Sequence, residues 1–364
     1  MTSHLIYISP MHIQENVPLA PFTTLGVGGP ARFFVEALST GEVHEAVAFA
    51  KAHYVPLFVL GGGSNLVVSD AGWPGLALKV SIQGINHRHG HATAYFDAGA
   101  GESWDDFVAI VVQHHCAGVE CLSGIPGSVG GTPVQNVGAY GQEVAETITA
   151  VAALDLQTGQ EEEFDKEDCG FGYRTSMFNT SGRGRYIILR VTFALVHDGD
   201  PRIAYGDVKK YFAGMETKPT VQEVRDAVLE IRASKAMLIR PGDEDSKSAG
   251  SFFKNPVLAA ADFEALQQKA ATRGLEIPSY PALASQNKVS AAWLVEHSGF
   301  SKGYSKGHVG ISRKHALAIV NRGGATAAEI MRFKDEIQGS VEEQWGVRLQ
   351  MEPVMVGFES VASR

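Results

Sequence analysis

The stretch VPLFVLGGGSNLVVSD, residues 55–70, decides how the first part of the chain folds. Residues 55–60 form an apolar run of strand length that enters three consecutive glycines. Consecutive glycines let backbone N–H groups approach an anion, and Ser64 and Asn65 add donors. A dinucleotide-binding turn of the Rossmann kind leads into a helix. Here LVVSD follows, β-branched and strand-like. The context excludes a Rossmann unit and leaves two readings, a loop that cradles a pyrophosphate or a glycine-rich hairpin. A second apparent fingerprint, GVGGPA at 26–31, is also followed by a strand-like run, RFFVEA, so its spacing is accidental.

Outward from this loop, residues 33–37 read as a strand. A helix follows, with Ser39 and Glu42 as a capping box and Val43, Ala46, Val47 and Ala50 as its apolar face. Residues 94–101 are another strand, and Ser103 is placed to cap a helix over 104–118. From 118 to 141 the chain carries seven glycines and one charged residue, Glu120. Residues 149–159 and 186–196 read as paired strands, and the acidic EEEFDKED between them as a solvated hairpin end. A helix over 221–235 has Thr220 and Glu223 as its box and Val221, Val224, Val228 and Ile231 as its buried stripe. The polar, turn-rich RPGDEDSKSAG then marks a domain boundary. A long helix begins at the Thr326/Glu329 box and stops at Gly346. The last strand, 347–357, alternates Val347, Leu349 and Met351 against Arg348, Gln350 and Glu352.

A length of 364 residues suggests two or three domains, and 45% apolar with 20% charged residues is a soluble globular composition. A net charge of −9 argues against broad binding to nucleic acid or a membrane surface. Cys116, Cys121 and Cys169 have no metal-binding spacing and read as reduced cytosolic thiols. The expected location is the cytoplasm, because no leader and no membrane-length apolar run is evident. No Walker A lysine motif and no H-E-x-x-H occurs, and no metal ligand set is assigned.

Three further stretches hold candidate chemistry. SGIPGSVGGTPVQNVGAYG, 123–141, suits backbone lying against a large flat ligand, or tight packing between loops. In CGFGYRTSMF, 169–178, Arg174 either stabilises negative charge on an oxygen or pairs with a nearby acid at the surface. SAGSFFKNP, 248–256, sets Ser251 between a glycine and two phenylalanines. It is either a turn entering a buried strand or a hydroxyl that delivers a proton in an apolar pocket. Glu352 alone reads as a solvated strand residue.

In order along the chain, TTLGVGGPARFF, LGGGSNLVV, IPGSVGGTPVQNVGAYG, FGYRTSMF, AGSFFKNP and EPVMVG resemble the UDP-N-acetylenolpyruvoylglucosamine reductase family over residues 16–358. AYGDV, 204–208, further resembles the subgroup with an extra tyrosine loop. The resemblance implies an α+β architecture: a two-part FAD-binding fold of the vanillyl-alcohol oxidase type with a smaller C-terminal α/β substrate domain. The domains expected are an arm over 1–15, the FAD-binding domain over 16–235 (subdomains 16–85 and 86–235) and the substrate domain over 236–364.

The cofactor implied is non-covalent FAD, with NADPH as hydride donor. Its pyrophosphate would lie at Gly61, Gly62, Gly63, Ser64 and Asn65, with further contacts from Pro126, Gly127, Gly130, Gly138, Ala139, Tyr140 and Arg232. Arg174 and Glu352 take the role of enolate stabilisers and Ser251 that of proton donor. Tyr173, Tyr205, Lys235, Asn255 and Tyr280 match substrate-binding positions. The implied reaction reduces UDP-N-acetylenolpyruvoylglucosamine to UDP-N-acetylmuramate for peptidoglycan synthesis, hence cell wall biogenesis, cell shape and division. Hydride would pass from flavin N5 to C3, and C2 would be protonated. No protein partner is implied. The loop LIRPGDEDSKSAG is longer than the family's, and no uridine contact is assigned within 304–315. The alternatives are another flavin oxidase or dehydrogenase on this fold, or a nucleotide-sugar binding protein without chemistry. The joint presence of Arg174, Ser251 and Glu352 argues against the binding protein.

Overall fold

The computed structural model describes residues 11–240, 242–281 and 286–358; positions 1–10 of the expected arm lie outside them. The chain divides into two compact units. The first holds residues 1–17, 31–62 and 73–229, and the second 18–30, 63–72 and 230–364.

The first unit contains a four-stranded sheet in the order Gln14–Pro18, Pro30–Ala37, Trp73–Val80, Leu57–Leu60. The last two pairings are parallel. Helix Thr40–Ala52 buries Val43, Ala46, Val47 and Ala50, the expected face. Its box is opened by one residue. Ser39 accepts the Glu42 N–H at 3.2 Å, but the Glu42 carboxylate turns to the N–H of Leu38.

A six-stranded antiparallel sheet runs Glu161–Asp165, Ile148–Asp155, Tyr186–His197, Thr93–Gly99, Ile85–His89, with Cys116–Ala117 also pairing to Tyr186–His197. The acidic stretch is therefore an edge strand rather than a hairpin end. Its row of glutamates keeps the open edge charged, which discourages pairing with another chain. Helix Trp104–Gln113 ends earlier than its apolar pattern suggests, because His115 takes φ 55° and the chain joins the sheet at Cys116. Ser103 stands at its N-cap without a side-chain bond. Trp104 and Phe107 stack against Phe193 of the sheet at 5.9 and 4.7 Å. All three cysteines are buried and free, and burial pushes the Cys121 and Cys169 thiols up to about 12.

In the second unit, Leu66–Val68 pairs in parallel with Val354–Val356. The strand after the glycine triplet thus has a different partner from the strand before it, which rules out a hairpin at 55–70. Regular pairing in the last strand is confined to Val354–Val356, although Val347 and Leu349 are buried and Arg348 and Gln350 exposed as the alternation requires. Helix Ala327–Trp345 buries Ile330, Phe333, Ile337, Val341 and Trp345 and ends at Gly346, φ 72°. Its first turn is satisfied twice over. Thr326 and Glu329 form the reciprocal box, and Asp70 accepts the N–H groups of Ala327 and Ala328 at 2.7 and 2.9 Å.

Asp70 also places negative charge at the positive end of that helix. Asp70→Ala is expected to lower stability by about 1–2 kcal/mol, measured by urea unfolding at neutral pH. A change below measurement error would show that water replaces it.

Candidate active site

In the first unit, two glycine loops meet. A Cβ on Gly62 would lie 2.5 Å from Gly127 Cα and 2.8 Å from Ser128 N, and one on Gly61 would lie 2.9 Å from Ser128 Oγ. Gly130 donates its N–H to Ala100 at 2.9 Å, and a Cβ there would be 2.6 Å from that of Ala100. Packing alone thus requires glycine at positions 62 and 130. It also leaves a backbone edge without side chains, and Gly61, Gly62, Pro126 and Gly127 all stay at least partly exposed along it. An edge lined by peptide groups, which a Cβ would fill, fits the extended anionic middle of FAD.

Glu120 supports this region from beneath. Fully buried, it accepts from Gly118 N at 2.7 Å, Gln142 Nε2 at 2.8 Å and Arg202 N at 2.8 Å. Gln142 in turn accepts the N–H of Cys121 at 2.8 Å. Gln142 belongs to a small ribbon, Gly138–Ala139 paired with Gln142–Glu143, whose tight turn puts Tyr140 at φ 48° and Gly141 at φ 85°. The Tyr140 and Tyr205 rings meet edge to face at 5.5 Å.

Tyr173 and Arg174 occupy a turn closed by reciprocal bonds between Gly172 and Thr175, at 2.9 and 3.1 Å. Arg174 adopts φ 55°, a sparsely populated region for a residue with a Cβ, and strain of this kind gathers at functional sites. Asn136 and Asn179 hold the turn by donating to the carbonyls of Gly172 and Arg174 at 2.9 and 3.3 Å. The half-buried guanidinium reaches Gly138: its Nη1 lies 3.4 Å from where a Cβ there would stand. Tyr173 and Tyr205 remain exposed.

In the second unit, Gly63 takes φ 65° against the Phe22 carbonyl, where a Cβ would come within 1.8 Å. The carbonyl of Ser64 accepts from Thr24 Oγ1 at 3.4 Å. Asn65 accepts the Val354 N–H at 2.9 Å and donates from Nδ2 to the Glu352 carbonyl at 3.5 Å. Residues 251–254 run antiparallel to 350–352, with Lys254 N donating to Gln350 O at 2.9 Å and Glu352 N to Phe252 O at 3.0 Å. On the other side Phe252 N donates to Leu317 O at 2.8 Å. Ser251 and Glu352 are thereby set on adjoining segments, and the buried Phe252 and Phe253 fix both.

Sequence reasoning missed His315. Its Nε2 lies 3.4 Å from Ser251 Oγ, while its Nδ1 accepts the Leu317 N–H at 3.1 Å. Burial first, and then the charges of Lys235, Lys302 and Arg232, hold its pKa down at about 4. The ring is therefore neutral near pH 7, and the backbone donor at Nδ1 leaves the ring proton on Nε2, facing Ser251.

The loop that presents His315 is clamped by the polar stretch read as a boundary. Asp245, buried, accepts from Ser312 Oγ at 3.2 Å and Arg313 N at 2.9 Å and pairs with Arg322. Glu244 meets Arg313 at 2.9 Å and Asp243 meets Lys314 at 3.3 Å. The available signal was charge complementarity, DED at 243–245 against RK at 313–314.

The other assigned residues of this unit are less concentrated. Arg232 is buried and donates to Met237 O at 2.7 Å, and Lys235 follows the same helix end. Asn255 spends its carbonyl on the N–H of Ala291, at the start of helix Ala291–Glu296. Tyr280 is 57% exposed on a three-stranded sheet, opposite Lys288.

An FAD-binding domain model matches residues 31–165, and this chain is an FAD-dependent oxidoreductase. A model described as the C-terminal domain of UDP-N-acetylenolpyruvoylglucosamine reductase matches residues 241–356. Reductases of that name from Thermobifida fusca and Streptomyces coelicolor are 44% and 43% identical. These alignments cover 94% and 96% of this chain, and 98% and 92% of theirs. The crystal structure of the Thermus caldophilus reductase superposes with a TM-score of 0.65 at 26% identity, covering 95% of this chain and 99% of that one. The chain belongs to the UDP-N-acetylenolpyruvoylglucosamine reductase family.

The state of His315 has a pH signature. Its folded pKa lies below the ordinary value of 6.5, so between the two values the unfolded chain binds the extra proton. The stability contributed by the neutral ring is complete above pH 6.5 and declines as pH falls toward about 4. Relative to His315→Gln, which does not titrate, the wild type is expected to lose its advantage over that window. Parallel urea unfolding curves from pH 7.5 to 4 test this, and a constant difference would refute a ring held neutral by its surroundings.

Proposed function

We propose that the enzyme reduces UDP-N-acetylenolpyruvoylglucosamine to UDP-N-acetylmuramate with NADPH, in the cytoplasm, as a step in building the peptidoglycan precursor. The observation that carries this reading is the Ser251 hydroxyl held by a neutral His315 whose tautomer is fixed by the main chain. Bound FAD would supply the hydride chemistry, with NADPH as donor and C3 of the enolpyruvyl group as acceptor.

The rest of the reaction falls to the chain's own residues. Gly61, Gly62, Gly63, Ser64 and Asn65 bind the pyrophosphate through peptide and side-chain donors. Pro126, Gly127, Gly130, Gly138, Ala139 and Tyr140 face the flavin with backbone rather than bulky side chains, and Arg232 adds a buried charge. Arg174, through a planar fork of donors, and Glu352, as the carboxylic acid or through the groups hydrogen-bonded to it, stabilise the negative charge that develops at C2 and its carboxylate. Tyr173, Tyr205, Lys235, Asn255 and Tyr280 hold the UDP-sugar, with Tyr205 representing the extra tyrosine loop.

Ser251 delivers the proton to C2. With His315 Nε2–H directed at its oxygen, the serine hydrogen is left to point at substrate. The same N–H then stabilises the alkoxide that forms. A serine is a weak acid in water, so a donor aimed at the nascent alkoxide is the support this role needs.

Ser251→Ala is expected to keep FAD and to be reduced by NADPH at a near-normal rate. Reoxidation by the enolpyruvyl substrate should fall by roughly two orders of magnitude or more, the scale of losing a general acid. Ser251→Cys should recover part of that loss. Stopped-flow absorbance of the two half-reactions decides it, and wild-type reoxidation in Ser251→Ala removes the residue from the mechanism.

Arg174→Lys keeps a charge but loses the fork, so only substrate reduction should slow. Equal slowing of both half-reactions would reassign Arg174 to structure or to NADPH.

A further inference from the structure

The edge strand Ile85–His89 carries His87 and His89 two residues apart, hence on one face of the sheet. His114, the C-cap of helix Trp104–Gln113, brings a third imidazole to the same place, with its ring 4.4 Å from that of His87. One ring nitrogen from each of the three lies within 4.8 Å of the others. The fully buried Phe96 is the floor for two of them: the His87 ring stacks on it at 5.7 Å and the His114 ring stands edge-on at 5.8 Å.

We propose that His87, His89 and His114 bind one divalent transition-metal cation of the zinc type, with solvent in the remaining position. Each neutral imidazole offers one nitrogen lone pair, and as cations the three would repel through their charges. One cation between them satisfies all three. A tetrahedral zinc site has Zn–N distances of about 2.0–2.1 Å, which sets ligand nitrogens roughly 3.3 Å apart. The ligand nitrogens would have to draw in from within 4.8 Å to that value, a movement that falls to the two exposed strand histidines. An all-nitrogen donor set favours zinc, nickel or copper over magnesium or calcium, which prefer oxygen.

His197 adds outer support, its ring 5.5 Å from His89 and its Nδ1 3.1 Å from the Asp198 carboxylate. The bound cation would clamp the free edge of the sheet to the end of the helix. None of these residues is assigned to flavin or substrate.

The test is calorimetric titration of Zn²⁺ into untagged, FAD-loaded protein in a non-chelating buffer. One saturable site is expected for zinc, with none for Mg²⁺. The double variant His87→Ala/His89→Ala, and separately His114→Asn, should weaken zinc binding by at least about tenfold. Both should retain their flavin absorbance without zinc, because the double variant removes two exposed side chains and His114→Asn keeps a polar side chain at the half-buried C-cap. Absence of saturable zinc binding in the wild type overturns the proposal. Undiminished affinity in the double variant overturns it equally, since the cation would then sit elsewhere.

Discussion

The peptide of Phe252 is the point on which the second unit turns. Its N–H is committed to Leu317 and its carbonyl to Glu352, while its side chain and that of Phe253 lie fully inside the core. A peptide bonded on both sides and anchored by two buried rings cannot shift without losing all of these at once. Each ring contributes about 1.5–3 kcal/mol on burial, and each bond about 0.5–1.5 kcal/mol. Ser251 precedes this anchor, Glu352 is bonded to it, and His315 sits two residues before Leu317. Three side chains distant in sequence thereby acquire fixed neighbours through one stretch of backbone.

Charge is used in two different ways to hold the loops. In the second unit Asp245 and Arg322 form a buried ion pair, and the same carboxylate caps the loop that presents His315. In the first unit Glu120 is buried and accepts from three neutral donors, two peptide N–H groups and one amide. Both arrangements satisfy several otherwise orphaned donors with one carboxylate, which is how irregular, glycine-rich chain is kept in place where no sheet ladder can do it.

The glycines show how close packing leaves backbone open. Gly62 is required because the Gly127 backbone lies against it, yet the same close approach produces a backbone edge without side chains. The structure shows the loop packing, and the proposed ligand contact is compatible with the same geometry. His315 follows similar logic. A main-chain N–H, and not a second side chain, decides which of its nitrogens carries the proton.

Much of this was legible in the amino-acid order. The stripe Ile330, Phe333, Ile337, Val341 and Trp345, with the Thr326/Glu329 box before it and Gly346 after it, specifies its helix locally, because helix period and capping act within a few residues. The β-branched run after Gly61–Asn65 excluded a Rossmann turn for the same local reason. The ends of elements were less legible. The helix at Trp104 stops at Gln113 because a sheet claims Cys116, and the acidic run Glu161–Asp165 became a strand because Ile148–Asp155 offered it an edge. The long-range pairings were not written locally at all. Nothing near His315 announces Ser251, and nothing near Asp70 announces Ala327. The sequence by itself determined the capped helices, the strands with a clear apolar pattern and the glycine loops, and through its ordered motifs the family. Only the tertiary structure decided which proton faces Ser251, because that depends on a backbone donor and a desolvated ring that folding alone brings together.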